Sequence, residues 1–107
     1  MPSSRHHLPQ HLLDLWVVFR ASDLPEHCVG MEIDGVDLSA LDASTTGCVA
    51  AFVRNGCALD PDRTRMLRLC VEQARHVAPQ LEGTGRVYFE RLRAVAEAVY
   101  LELHGKQ

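Results

Sequence analysis

Six histidines and four cysteines are the side chains here most able to hold a metal ion or attack a substrate, so their spacing decides whether such chemistry is within reach. The cysteines Cys28, Cys48, Cys57 and Cys70 stand 20, 9 and 13 positions apart. Zinc sites draw ligands from tight pairs such as C-x-x-C or H-E-x-x-H, and neither pattern occurs. A closed site would have to be gathered from several elements. Cys48 and Cys70 fall on apolar helix faces, where a thiol behaves as a small hydrophobe and free cysteine is usually buried. His7 and His11, four apart, could hold a transition metal together with His6 if a helix ran back through them. Pro9 weakens that helix, and a polar tail lacks the fixed outer partners that orient metal-binding rings.

His27-Cys28 has the residue types of a base and a nucleophile. Side chains adjacent in sequence seldom face each other, however, and no oxyanion donor is at hand; a surface pair is the expectation. Glu32-Ile33-Asp34-Gly35-Val36-Asp37 places carboxylates around a glycine, as calcium loops do. Counted from Glu32, the twelfth position is Ala43, where a calcium hand needs a bidentate Glu. Helix capping and solvation account for these acids. The sequence therefore assigns no catalytic residue, no metal ligand and no cofactor, and a small metal- or cysteine-dependent enzyme is the least supported of three functions.

The second function is DNA binding. Two expected helices joined by 55–60, the later one opening with Arg63, Arg65 and Arg68, resemble a helix-turn-helix whose arginines could reach bases and phosphates. The connection is longer than the usual turn, the formal net charge is -3, and no basic arm supplies the counterion-release free energy. Nucleic acid is therefore a disfavoured partner.

The leading function is a small helical interaction or regulatory module that presents a helix face to another protein, or to a second copy of itself. Trp16 and Phe19 on a strongly apolar first helix, with Tyr88 and Tyr100, are the candidate interface residues, because tyrosine and tryptophan are favoured where protein surfaces meet. The alternative use of these rings is to fill the core.

The elements that must position these groups follow from apolar spacing. Residues 1–8 read as a tail. A first helix starts at Pro9, in the first helical position, and runs to about Arg20 with Leu12, Leu15, Trp16 and Phe19 on one face, widened by Leu13 and Val17. Residues 21–36, with Pro25, Gly30 and Gly35, read as an irregular acidic loop; Val29, Met31 and Ile33 alternate like a strand but show no partner. Asp37 or Asp42 caps a second helix carrying Leu38, Leu41, Thr45, Cys48 and Phe52 inward, which ends near Asn55-Gly56. Asp60-Pro61 is the firmest start, with a cap followed by proline at the first helical position. That third helix turns Met66, Leu67, Cys70, Val71, Ala74 and Val77 inward and stops at Pro79. A last helix, with Thr84 as candidate cap, runs to about Leu103 on a face of Tyr88, Phe89, Leu92, Val95, Ala96, Val99, Tyr100 and Leu103. Glu90, Arg93 and Glu97 form its solvated ladder. The fold class is thus all-α, a small antiparallel bundle of about four helices occupying 9–104, with 105–107 frayed.

Composition bounds the rest. A chain of 107 residues, 47% hydrophobic and 23% charged, is one ordinary globular domain. No apolar run approaches the ~20 residues that cross a bilayer, and Leu12 to Phe19 lacks the flanks of a secretory signal. Reduced thiols and a cytoplasmic location are the expectation. Charge is divided unevenly: residues 21–53 carry six acids and no Lys or Arg, whereas from Arg54 onward nine bases face seven acids. Pairing between the two halves is the expected use of that division.

Overall fold

Apolar side chains recurring every three to four positions condense into four helices, and short polar residues fix where they begin. The computed structural model describes residues 8–105. Helix α1 is Gln10–Arg20, α2 Leu38–Arg54, α3 Pro61–Val77 and α4 Gly83–His104, the all-α bundle expected from the spacing. Asp60 Oδ1 accepts the Arg63 amide at 2.8 Å, with Pro61 in the first helical position. Of the two candidate caps for α2, Asp37 takes the role, accepting the Ala40 amide at 3.0 Å. Asp42 is thereby released for another partner. The other two starts differ from expectation. Pro9 is the residue before α1, and α4 begins at Gly83 with Glu82 before it and no side-chain cap, so Thr84 already lies inside the first turn.

The stretch read as an irregular loop is partly ordered. A 3-10 turn spans Glu26–Cys28, and strands β1 (Glu32–Ile33) and β2 (Val36–Asp37) pair antiparallel, Glu32 opposite Asp37 and Ile33 opposite Val36. The partner strand of β1 lies just past a two-residue turn. Asp34 (φ 51) and Gly35 (φ 84) both adopt the left-handed conformation, as the tight hairpin matched to strand twist requires. Two residue pairs are too few to hold a hairpin by themselves. Asp34 Oδ2 meets His76 Nε2 at 2.7 Å and accepts from Gln80 at 3.4 Å, which pins the turn to the end of α3.

Helix α4 packs against each of the other three, α2 pairs with α3, and α1 rests chiefly on α4. One side of α4 is therefore a three-helix core and the other a two-helix layer. Leu38, Leu41, Cys48 and Phe52 of α2 meet Leu67, Cys70, Val71 and Val77 of α3 and Phe89, Leu92, Val95 and Val99 of α4 in one interior. Leu8, assigned to a tail by sequence, packs against that interior as well. Met66, expected inward, is 48% exposed, because the buried row of α3 runs through Leu67, Cys70 and Ala74 and leaves Met66 at its edge. Among the described residues, the single ion pair joining the acidic segment to the later half is His76–Asp34, while the ion pairs of the arginines stay within α3 and its Asp60 cap, within α4 or, for Arg75–Glu97, between the two. The expected broad pairing of the two halves is thus reduced to one contact.

Among the described residues, Thr45 carries a fully buried hydroxyl without a hydrogen-bond partner. It lies beside the Cys70 thiol, a weak partner. Replacing Thr45 with isosteric valine removes an unsatisfied polar group. Thr45→Val should raise stability in urea denaturation by roughly 1 kcal/mol; a loss would mean that the hydroxyl is satisfied in solution. Hydrogen bonds from His76 and then Gln80 hold the Asp34 carboxyl below its ordinary range. Stability from this contact is therefore whole above the ordinary carboxylate value and is lost as pH falls through the lowered one. Asp34→Asn should flatten the acid limb of a plot of urea midpoint against pH, and an unchanged limb would refute the contact.

Candidate functional site

The aromatic residues chosen from sequence as interface candidates lie at the seam between α1 and α4. Trp16, Phe19 and Tyr88 are 7%, 2% and 6% exposed. Their rings form a row, with Trp16 and Phe19 centroids 6.3 Å apart, Phe19 and Tyr88 5.2 Å, and Tyr88 and Phe89 5.3 Å. This row joins the two helices, and three of the four candidates have almost no surface to offer. Tyr100 is half-buried, its ring 4.2 Å from that of His104. The Tyr88 hydroxyl donates to Asp42 Oδ1 at 2.5 Å, tying α4 to α2 across 46 positions of sequence. Burial, with Asp42 and then Asp23 adding negative charge, pushes the Tyr88 hydroxyl far above its usual range. It therefore stays a proton donor.

What the seam leaves uncovered is more informative than what it buries. Leu12, Trp16 and Phe19 occupy the face of α1 turned to α4, and that helix is too narrow to cover the rest of so wide an apolar arc. Leu15 stays half-buried, while Val17 and Val18 are 57% and 47% exposed. On α4, Val87, Ala94 and Leu101 recur every seven residues along one outer face, with Val87 49% and Leu101 67% exposed. Between the two helices runs an open groove of about 820 Å³ floored by Leu15, Val18, Val87 and Ala94 and edged by Asp14, Arg86, Glu90 and Arg91. A second hollow of about 540 Å³, between residues 21–25 and the start of α4, shares Gly83, Val87 and Arg91 with it. The two form one continuous trough.

Charges on the rim divide into matched and unmatched. Glu90 accepts from Arg93 at 2.9 Å and lies 3.8 Å from Arg86; Arg93 also reaches Glu97 at 2.9 Å, and Glu97 meets Arg75 at 2.6 Å. The expected ladder is present and extends onto α3, but its members Glu90, Arg93 and Glu97 are half-buried rather than solvated. Asp14, by contrast, accepts from the Gln10 amide at 2.9 Å, and Arg91 donates to Ser22 Oγ at 2.9 Å. Neither makes an ion pair among the described residues.

The remaining sequence candidates are scattered. Arg63 pairs with Asp60 at 2.7 Å, Arg65 with Asp62, and Arg68 with Glu72 at 3.4 Å. Each arginine proposed to contact DNA thus has an acid beside it, at the cap of α3 for Arg63 and on the helix itself for Arg65 and Arg68, which offsets the local positive potential. Among the described residues, no three His, Cys, Asp or Glu side chains gather where they could hold a metal ion. His6 and His7 lie outside the described residues. Burial raises the Cys28 and Cys70 thiols above their ordinary range and, with Cys70 nearby, pushes Cys48 up to about 11. These thiols are protonated at neutral pH, whereas nucleophiles and metal ligands are thiolates.

His27-Cys28 is a surface pair only in its first member. His27 is exposed and Cys28 fully buried. The contact that sequence reasoning missed is Gly85: a Cβ there would stand 3.0 Å from Cys28 Sγ and 3.1 Å from His27 Nε2. A side chain there would press on both residues and force the turn or its side chains to shift, so glycine suits this close seating of the 3-10 turn on α4. A glycine in the expected first turn of a helix was the available signal. No described helix is long and apolar enough to cross a membrane. In comparison with known protein families, curated proteins and solved structures, the chain matches none.

Removing the Tyr88 hydroxyl would leave Asp42 without its donor in a partly covered site. Tyr88→Phe should cost roughly 1 to 2 kcal/mol in denaturant unfolding. No loss would mean that solvent already satisfies Asp42.

Proposed function

We propose that this chain is a protein-protein interaction module, regulatory rather than catalytic, whose contact surface is the trough between α1 and α4. The observation that supports it is the row of Leu15, Val18, Val87 and Ala94 left open beside an otherwise closed interior. Contiguous apolar surface on a small domain costs solubility and marks sites of association. A groove between two helices accepts a third helix, whose side chains enter it as ridges. Covering Val18 and Val87, each about half exposed, contributes roughly 1 kcal/mol apiece to such a contact. In this reading the acidic segment 23–42 affects the rate of encounter rather than the fit.

The test is site-specific photo-crosslinking in the native host. A photoreactive residue at Val87 should give a covalent adduct with a polypeptide, and the same residue at the exposed Ala43 of α2 should not. An absence of adducts from Val87, or identical products from both positions, would remove the reading.

A further inference from the structure

We infer that the polypeptide seated in the α1–α4 trough is a second copy of this chain, with the two α4 helices antiparallel about a two-fold axis. The inference rests on the interaction reading above and names its partner. Two charges on the rim select the occupant. Asp14 stands on the α1 wall and Arg91 on the α4 wall, of opposite sign, and neither is in an ion pair among the described residues. A partner of one sign would satisfy one of them and repel the other. The occupant must instead bring a base to Asp14 and an acid to Arg91.

The trough itself carries that pattern when turned through half a revolution. With Val87 of each copy opposite Ala94 of the other, the same antiparallel register sets Arg91 opposite Glu90. The end of α1 lies over the beginning of α4, as the Phe19–Tyr88 ring contact and the Arg91–Ser22 hydrogen bond show. Asp14, earlier in α1, lines the same groove as Glu90 and Ala94 of mid-α4, and in the paired copy it faces the Arg86–Arg91 stretch. Acid and base thus meet twice, once in each half of the interface, as a self-complementary surface requires. The apolar rows agree with the same register, since the single methyl of Ala94 leaves room for the branched Val87 side chain. Four modest apolar residues per copy, without an exposed aromatic anchor, make this a pair of roughly micromolar affinity.

Sedimentation equilibrium of the full chain across a wide concentration range tests the pairing. The unaltered protein should pass from monomer to dimer. Asp14→Arg and Arg91→Glu should each weaken the dimer about tenfold, and the two together should restore it to within about threefold. Val87→Asp should abolish it. The three positions changed, Asp14, Val87 and Arg91, are exposed, and circular dichroism with an unchanged helical spectrum confirms folding. A chain that stays monomeric at its highest soluble concentration overturns the pairing, as does a dimer indifferent to both single changes or a double variant as weak as the weaker single. If the monomer still gives Val87 adducts with a different polypeptide, only the self-pairing falls. If it gives none, the interaction reading falls with it.

Discussion

Helix α4 must satisfy three neighbours at once, and the ring row Phe19, Tyr88 and Phe89 is where it does so. Phe19 belongs to α1, while Tyr88 faces that helix with its ring and α2 with its hydroxyl, through Asp42. Phe89, fully buried, turns into the common interior. Aromatic side chains suit this task because each buries a large area with few rotatable bonds, and edge or tilted ring contacts add to that burial. Without the row, α1 would have little to hold it, since it rests chiefly on α4.

That dependence explains why the apolar surplus of α1 appears at the surface. A helix enclosed on several sides hides residues all round, but one laid against a single neighbour hides only a stripe. Trp16 and Phe19 win the stripe because they are the largest. Val17 and Val18, which follow Trp16 directly, are turned about 100° and 200° away from it by helix geometry. The exposed floor of the trough is thus a consequence of α1 having one supporting helix and more apolar residues than that helix can cover.

The sequence was legible where a local rule had one outcome. Asp60-Pro61 started α3 because cap and proline agree, and Leu41, Thr45, Cys48 and Phe52 pointed inward because the large apolar side chains of α2 gather on that side. It was illegible where the outcome depended on a neighbour. Spacing identified α1 as unusually apolar but could not say that Trp16 would be covered and Val18 left out, which depends on how the helix is rolled. Met66 is the same case on α3. The hairpin was missed for a different reason: Asp34-Gly35 is a strong turn signal, but each flanking strand is two residues long, too short for alternation to show. The Tyr88–Asp42 contact had no local signal at all, because the residues are 46 apart.

The closeness of Cys28 to Gly85 has a further consequence. Its sulfur is sealed off from solvent, so an external alkylating reagent reaches it only when the 3-10 turn lifts from α4. The rate of that labelling is a built-in clock for local opening of the segment between α1 and α2, and it reads a motion that need not involve unfolding of the rest of the domain.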